Sequence, residues 1–410
     1  MPADEYWITG ASVVDATGVD PRAVAIGVSH GRITGLGAVP AGADTVEADG
    51  LTITPGLIDA HVHLGLSSEI DPSFRRELSI AELAADMFRN CADTLAGGFT
   101  TVRDTGGIDG GLAAVVASGK VPGPRILQCG PVQCQTGGHG HLTALWEPTR
   151  DWHDHSLPGL RQMSLLSDGP HEMRKNVRET FRRGADFLKL CVTGGVVSAH
   201  DKLTDTQFTV EEIGVAVEEA RARGTYVTVH AHNNDGIRNA ITAGVRCVEH
   251  GSAIDEATAA LMAEHDVALV PTLAVVHAIT ANAGATGIGA NIAARVGGIM
   301  QGMIDGLLAA RAAGVRVGLG SDLIGPDQTG RGHELVLRAE AESPMLALQS
   351  ATRINAGILG IADETGTIEV GKRADLVGFS ASPLEDPRLF GDRDAVALVI
   401  QDGRVVRDSR

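Results

Sequence analysis

The sequence places two histidines, His61 and His63, directly after the segment 53–60. Side chains at i and i+2 of an extended strand point to the same side, so both imidazoles can bind one metal ion. Two histidines at this spacing do not establish a metal site, because each can also be a hydrogen-bonded core residue. The pair gains meaning only if further ligands follow at equivalent places along the chain.

Three later segments of β-type composition also end in side chains that can bind metals. His230 and His232 flank Ala231, Glu249 and His250 precede Gly251, and Asp322 follows Ser321. Imidazole and carboxylate groups bind zinc, but they also bind manganese, cobalt or iron. Any one of these residues could be an ordinary core group, yet their recurrence at successive strand ends favours a shared metal site.

Lys189 lies in the middle of the otherwise apolar segment 187–192. A buried ammonium group is costly unless it is deprotonated, paired with an acid or chemically modified. The alternative is a lysine that reaches the surface or a core carboxylate. The residues alone leave both interpretations open.

Short apolar strands, polar or glycine-rich loops and amphipathic helices alternate through most of the chain. Thr209 and Glu212 have capping-box spacing, and glycines follow several predicted helices. Eight strands alternating with helices are typical of an α/β protein with a (β/α)8 TIM-type barrel, whose functional groups gather at the carboxyl ends of the strands. A doubly wound open sheet is the structural alternative, because the sequence does not show closure. The predicted strands are 52–63, 100–104, 125–130, 186–192, 226–230, 247–250, 268–273 and 315–322, and the predicted helices are 79–96, 171–183, 209–223, 235–243, 255–264 and 290–313.

Both ends of the chain are rich in predicted strands joined by tight turns. The turns are expected at His30-Gly31 and Asp402-Gly403, where the residue types suit two-residue hairpin loops. If the barrel termini are close, the two ends can form one small discontinuous domain. The domain boundaries are therefore 1–54 with 366–410 for this unit and 55–365 for the barrel. The predicted strands of the terminal domain are 6–14, 23–29, 32–36, 366–368, 374–379 and 396–406.

Composition excludes several functional classes. The 410 residues include 51 acidic and 34 basic side chains, and the net charge of −17 argues against a nucleic-acid partner. The longest uncharged segment, 267–294, is interrupted by Pro271, His277 and several glycines, so no membrane span is expected. Five cysteines without paired spacing favour reduced thiols, and no secretory signal is visible at the amino terminus. We therefore expect a cytoplasmic protein.

The order His-x-His, Lys, His, His, Asp on successive strands resembles the amidohydrolase superfamily. Its members are metal-dependent hydrolases built on this barrel, with a small β-sandwich formed by both termini. The resemblance extends over almost the whole chain. Within the superfamily, Lys189 and the segments 193–196 and 136–140 are similar to the imidazolonepropionase-related branch that contains the Xaa-Pro and Xaa-Arg dipeptidases and the ochratoxinase-like amidases. The superfamily match lies in 54–63, 98–104, 351–355 and 371–377.

The resemblance implies two divalent metal ions, with zinc expected first, and a homo-oligomer. One ion would bind His61, His63 and Asp322, and the other would bind His230 and His250. A carboxylated Lys189 would bridge them, which explains a lysine in an apolar strand. Asp322 would also be the general base.

The implied reaction is hydrolysis of an amide C–N bond by a metal-bridging hydroxide. The substrate would be a dipeptide, an N-acyl amino acid or an ochratoxin-like amide. His139 would contact the substrate, unless it is a loop histidine facing water. His232 and His141 stand where related dipeptidases often have Tyr and Asp, so they are the expected further substrate contacts and put recognition of a free carboxylate in doubt.

Other interpretations remain. A mononuclear deaminase or a cyclic amide or imidazolone hydrolase of the same superfamily would not need a bridging Lys189. A catalytically inactive scaffold protein of this fold should have lost ligands, whereas this chain has the full set. The segment 146–171 is either a lid over the site or an ordinary surface loop.

Overall fold

The computed structural model describes residues 5–67, 79–141, 163–196, 198, 201–281, 296–325 and 327–410. Its strands are β1 (Glu5–Thr9), β2 (Ser12–Val13), β3 (Arg22–Ala23), β4 (Ala25–Ser29), β5 (Arg32–Gly37), β6 (Thr45–Glu47), β7 (Thr52–Pro55), β8 (Leu57–Val62), β9 (Phe99–Asp104), β10 (Arg125–Gln128), β11 (Val132–Cys134), β12 (Ser164–Leu166), β13 (Leu188–Cys191), β14 (Val227–Ala231), β15 (Cys247–His250), β16 (Ala268–Val270), β17 (Leu376–Phe379), β18 (Val396–Gln401) and β19 (Arg404–Asp408).

Helices follow most of the central strands. Five of the six predicted helices are confirmed within two residues at their ends, and Thr209 and Glu212 form the expected capping box. The sixth, predicted at 290–313, begins at Ile299, and residues 290–295 lie outside the described part of the chain. The α-helices are α1 (Ile80–Ala96), α2 (Gly110–Ala117), α3 (Gly169–Arg182), α4 (Val210–Arg221), α5 (Asn234–Ala243), α6 (Glu256–Glu264), α7 (Leu273–Ala281), α8 (Ile299–Ala312), α9 (His333–Ala341), α10 (Pro344–Gln349) and α11 (Asn355–Leu359), with 3-10 turns at Thr329–Gly332 and Pro387–Phe390 and a π-helical turn at Ser350–Ile354.

The central strands are all parallel. They form one sheet in the order β10-β9-β8 and another in the order β12-β11-β13-β14-β15-β16. The segment 315–322 lies between β16 and β8, because the Gly318 N–H donates to the Leu269 carbonyl at 2.8 Å and the Asp322 N–H donates to the His61 carbonyl at 2.8 Å. Parallel strands connected by helices in this order are consistent with a TIM-type barrel. The apolar sides of α4, α5 and α6 contribute to one core with β13, β14 and β15.

The terminal strands form two sheets around a second apolar core. The sheets have the orders β5-β4-β1-β6 and β19-β18-β17-β7-β2-β3, so the second contains strands from both ends of the chain. His30 and Gly31 have φ of 49° and 78°, and Asp402 and Gly403 have φ of 47° and 72°. Positive φ at both central residues is the requirement of a type I′ hairpin turn, as the sequence predicted. The shared core includes Tyr6, Ile8, Ile26, Ile33, Ile53, Leu376, Leu398 and Ile400.

The predicted strand 52–63 is divided at Gly56. The Gly56 N–H donates to the Asp375 carbonyl at 2.7 Å, which turns β7 into the terminal sheet while β8 enters the parallel sheet. A side chain at this position would collide with Thr100, because a Cβ built on Gly56 would lie 2.2 Å from Thr100 Oγ1. Glycine therefore permits the chain to pass between two closely packed layers.

Several other boundaries differ from the sequence-based prediction. The strand predicted at 125–130 ends at Gln128, and the chain resumes pairing only in β11 after Gly130 and Pro131. The strand predicted at 268–273 ends at Val270, because Pro271 lacks the N–H that a ladder needs and Leu273 already begins α7. The segment 315–322 makes backbone hydrogen bonds without forming a regular strand, and 366–368 is not a strand.

The predicted loop at 146–171 is only partly within the described residues. Its last part was predicted wrongly, because Ser164–Leu166 pairs with β11 as β12 and α3 begins at Gly169. Residues 146–162 and the lid assigned to them lie outside the described part of the chain. Among the described helices, none has the length and apolar character needed to cross a membrane.

Asn355 links the segment 315–322 to β8. Its side-chain amide donates to the Ile58 carbonyl at 2.7 Å and the Leu319 carbonyl at 2.8 Å, and its Oδ1 accepts from the Leu319 N–H at 3.0 Å. The side chain is completely buried. It therefore holds together the two segments that carry His61, His63 and Asp322.

We expect Asn355→Ala to lower the free energy of unfolding by about 3 kcal/mol, because buried backbone groups lose their partners. Urea denaturation followed by circular dichroism measures this change. Asn234→Ala is the matched control, since Asn234 makes its hydrogen bonds at the surface. Equal losses in the two variants would contradict the role of Asn355.

A second buried polar contact fixes the start of α7. The Ala274 N–H donates to Glu334 Oε2 at 2.6 Å, and burial raises the pKa of Glu334 to about 8. The unfolded carboxyl group titrates near its ordinary value of about 4.3. Between these two values the folded chain keeps a proton that the unfolded chain releases, so this group makes stability fall as pH rises.

We expect Glu334→Gln to remove a slope of about 1.4 kcal/mol per pH unit from the unfolding free energy between about pH 5 and 8. The difference between variant and wild type should grow with pH in this window and become constant above it. Chemical denaturation at several pH values measures the difference. The exposed Glu340→Gln on the same helix is the control, and parallel pH profiles for wild type and Glu334→Gln would refute the assignment.

Candidate metal centre

The side chains predicted at the strand ends meet in one cavity of about 200 Å³ at the carboxyl ends of the parallel strands. The lining residues that carry functional groups include His61, His63, His139, Lys189, His230, His232, His250 and Asp322. They come from strands that are far apart in sequence. Parallel pairing brings them together because all these strands end at the same edge.

The first group is formed by His61, His63 and Asp322. Asp322 Oδ1 lies 3.3 Å from His61 Nε2 and 3.1 Å from His63 Nε2. Burial raises the pKa of Asp322, but the adjacent His61 and His63 outweigh this effect and lower it well below its usual value. Asp322 is therefore an ionised carboxylate held between two imidazoles.

The other ring nitrogens of His61 and His63 have fixed partners outside the cavity. His61 Nδ1 lies 2.8 Å from Glu249 Oε2, and His63 Nδ1 lies 2.6 Å from the Gly106 carbonyl. With Nδ1 engaged in these contacts, the Nε2 atom of each ring faces Asp322 and the cavity. Such outer partners are the usual way in which proteins orient metal-binding histidines.

Glu249 belongs to a buried network behind His61. Arg103 Nη2 donates to Glu249 Oε1 at 2.6 Å, and the Thr228 hydroxyl donates to the same oxygen. Burial raises the pKa of Glu249, but the Arg103 charge more than compensates, so the net shift is downward. Glu249 is thus an ionised acceptor that holds His61 in one orientation.

The second group is formed by His230, His232 and His250. One potential ligand atom from each of the three lies within 4.8 Å of the others, and the same is true of His61, His250 and Asp322. His250 belongs to both triplets. His232 Nδ1 lies 2.9 Å from the Ser252 hydroxyl, and His250 Nδ1 lies 2.9 Å from the Thr272 hydroxyl.

The imidazoles of the second group are neutral at ordinary pH. Burial lowers the pKa of His232 to about 3, and burial followed by neighbouring imidazoles lowers the pKa of His230 and His250 well below the usual value. Neutral imidazole is the form that binds metals. Unprotonated ring nitrogens in close array, next to an ionised carboxylate, match the donor set of a divalent cation.

Two of these residues have backbone angles that are unusual for their type. His250 has φ of 68° and Asp322 has φ of 54°, both in the left-handed region. A non-glycine residue in this region is energetically strained and persists only where the surrounding structure imposes it. The strain redirects each side chain at the point where its strand ends.

Lys189 lies on β13 with Thr228 as its neighbour on β14. The residue is 3% exposed, and it lines the same cavity as the histidines. The surface alternative from the sequence is therefore wrong. A buried cation in this place contributes to the lowered pKa of His139, His230, His232 and His250.

His139 packs against the second group, with its ring stacked on that of His230 at a centroid distance of 4.2 Å. Its ring also covers Gly195, where a Cβ would lie 2.1 Å from His139 Cε1, so glycine is required there. Burial, followed by the Lys189 charge, lowers the pKa of His139 to about 4 although Asp322 opposes the shift. His139 is thus a neutral, partly buried group that lines the cavity.

His141 has a different place from the one expected of a substrate contact. The Gly137 N–H donates to His141 Nδ1 at 2.8 Å, so the ring supports the turn that carries His139. His141 is not among the described residues that line the cavity. Its predicted contact with substrate stays a prediction.

The sequence did not indicate the partners Glu249, Ser252 and Thr272, nor the closeness of His232 to His230 and His250. His232 had a visible signal, because His230 and His232 have the same i, i+2 spacing as His61 and His63. Glu249 had a weaker signal, since a buried glutamate needs a cation and Arg103 lies on another buried strand, β9. Which hydroxyl group meets which histidine follows only from the folded chain.

The chain is similar to known proteins over most of its length. A model of the amidohydrolase family matches residues 52–406. Ochratoxinase from Aspergillus niger is 30% identical over 365 residues, which cover 87% of this chain and 75% of the relative.

Solved structures show the same fold over nearly the whole chain. A prolidase in complex with N-methylphosphonate-L-proline has 33% identity and a TM-score of 0.93, covering 98% of this chain and 100% of that one. A Xaa-Pro dipeptidase with bound methionine has 29% identity and a TM-score of 0.86, with 98% and 100% covered. The family match over most of the sequence, together with these likenesses, shows that the chain belongs to the amidohydrolase family.

Proposed function

We propose that this protein hydrolyses an amide C–N bond of a small substrate with the help of two divalent metal ions. The observation that carries the proposal is the pair of ligand triplets that share His250. A shared member means that two ions would lie side by side, which is the arrangement that amide hydrolysis by paired metals requires. Zinc is the expected metal, because neutral imidazoles dominate the donor set.

The proposed ligands are those expected from the sequence. They are His61, His63, Lys189, His230, His250 and Asp322. A carboxylated Lys189 would be an anion between the ions, so the side chain would no longer place an ammonium group among neutral histidines. His232 lies within ligand range of His230 and His250, and we assign it to the substrate side of the second ion together with His139.

Two divalent ions, when bound, would polarise the amide carbonyl and lower the pKa of a water molecule. Asp322 would accept the proton of the attacking water and deliver it to the leaving nitrogen. Its lowered pKa keeps it in the form that can accept that proton. His139, neutral because of its pKa of about 4, would donate a hydrogen bond to the substrate carbonyl or carboxylate.

The relatives support the substrate class. Prolidase, Xaa-Pro dipeptidase and ochratoxinase are the names of proteins with similar folds. We therefore propose a dipeptide, an N-acyl amino acid or an ochratoxin-like amide. Screening metal-loaded protein against N-acyl amino acids, Xaa-Pro and Xaa-Arg dipeptides, aryl amides and lactams identifies the preferred bond.

The architecture in the proposal is a closed (β/α)8 barrel at 55–365, with a β-sandwich domain made of 1–54 and 366–410. The division at Gly56 and the two terminal sheets support these boundaries. A cytoplasmic homo-oligomer is the proposed state of the protein, and its subunit number is open to measurement by light scattering.

We expect Asp322→Asn to lower kcat by about 10² to 10⁴, since the general base is lost, while two metal equivalents stay bound through the remaining ligands. Kinetics on the best amide and metal analysis of the same sample measure both effects. Asp327→Asn is the matched control, because Asp327 is exposed and caps a turn through Thr329. Full activity in Asp322→Asn would remove Asp322 from the mechanism.

We expect Lys189→Ala to lose at least one metal ion per chain together with activity, and short carboxylic acids to restore part of both. The added carboxylate would replace the missing carbamate. Elemental analysis with and without propionate measures the occupancy, and the exposed Lys202→Ala serves as control. One ion per wild-type chain, unchanged in Lys189→Ala, would instead favour the mononuclear deaminase or cyclic amide hydrolase.

A further inference from the structure

One side of the active-site cavity is made of aliphatic side chains. Two helices supply most of them, and together with a residue that follows Asp322 they form what we call the apolar wall. Its members are Val275, Val276 and Ile279 of α7, Val296, Ile299 and Met303 in and before α8, and Ile324.

The wall is not ordinary core in its entirety. Val275, Val276 and Ile279 are 8%, 6% and 7% exposed, whereas Leu273 at the start of the same helix is 0% exposed. The remaining exposure belongs to residues that line the cavity. Residues that pack against one another but keep a free face toward a binding cavity are available to an apolar ligand group.

The apolar wall is directly connected to the candidate metal centre. Thr272, whose hydroxyl lies 2.9 Å from His250 Nδ1, immediately precedes α7. The Glu334 carboxyl group stabilises the first turn of α7, because it accepts a hydrogen bond from the Ala274 N–H at 2.6 Å. A substrate whose amide lies at the histidines therefore meets α7 with any group that extends from it in this direction.

Charge is confined to the other side of the cavity. Within the part of the chain that the structure describes, Lys189 and Asp322 are the cavity residues with formal charge, and both belong to the metal centre. The wall has no described side chain that could pair with a charged substituent. Burying an unpaired charge there is costly, whereas burying an alkyl or aryl group is favourable.

We infer that the natural substrate is an amide with a bulky, uncharged apolar group, which binds against the apolar wall, and that Val276 is a specificity-determining residue. This inference rests on the proposed function for the identity of the scissile bond. It goes beyond that function by separating amides with aliphatic or aromatic substituents from those with charged side chains, such as Xaa-Arg dipeptides. A cavity of about 200 Å³ has room for a small amide with one such group, since an apolar cavity of about 150 Å³ binds benzene.

A homologous series of amides tests the inference, because binding and hydrolysis of each amide are measured separately. The first series of probes consists of the N-methyl amides of acetic, butanoic, hexanoic and octanoic acid. The second series keeps the acetyl group and replaces methylamine with alkylamines of rising length. Isothermal titration calorimetry on the metal-loaded protein measures the dissociation constants. We expect affinity to rise about fourfold for each methylene that enters the cavity, in at least one series.

Variants connect this trend with the wall. Val276→Thr replaces one methyl group with a hydroxyl group at nearly the same volume, so we expect it to reduce the gain per methylene while short amides bind as before. Val370→Thr is the matched control at a surface position that is 61% exposed. Val276→Phe, which fills the cavity, should lose binding of the long amides only and replaces Val276→Thr if that variant fails to fold.

The outcomes distinguish this inference from the proposed function. If affinity rises with chain length and Val276→Thr reduces this rise, the apolar wall is supported. If in addition no probe is hydrolysed, only the proposed hydrolysis is refuted. Equal affinity along both series overturns the wall, even if the amides are hydrolysed. A rising trend that is the same in Val276→Thr, Val276→Phe and wild type also overturns it, because the apolar group then binds elsewhere.

Discussion

The candidate metal centre depends on how several imidazoles are kept close to one another inside the protein. Each of the four ring nitrogens that faces away from the cavity has an acceptor or hydroxyl partner: Glu249 for His61, the Gly106 carbonyl for His63, Ser252 for His232 and Thr272 for His250. These contacts orient the ring planes, so the opposite nitrogens face the same space. Burial then keeps the second group neutral, and a cation is the species that stabilises such an array.

The strands that carry these residues need support of their own. Asp59 accepts hydrogen bonds from the backbone N–H groups of His61 and Ser321, and the buried Arg331 lies 3.5 Å from the same carboxylate. Asn355 adds three hydrogen bonds between β8 and the segment that leads to Asp322. The irregular segment 315–322 is thus held in place by side-chain contacts where regular strand pairing is missing. The sequence predicted the position of this segment between the strands, but not that it would lack regular β-structure.

The sequence predicted the recurring strand and helix pattern, the helix termini and the histidines at strand ends, because these follow from local periodicity and from residue type. It did not predict the division at Gly56, the early start of α7 or the role of Glu249. Each of these depends on a partner distant in sequence, namely Asp375, Glu334 and Arg103. The apolar wall also required the structure, because the sequence predicted no helix at 273–281.

Gly56 joins the terminal sheets to the parallel sheet with no linker between β7 and β8. The apolar cluster of Leu57, Leu95, Phe99, Val377, Phe379 and Val399 continues across this junction. Removing the terminal segments would therefore expose this apolar cluster to water and release the strand that bears the first two histidines. The carboxyl-terminal strands, although remote from the chemistry, are an indivisible part of the enzyme, and shortened versions for biotechnology have to preserve both ends.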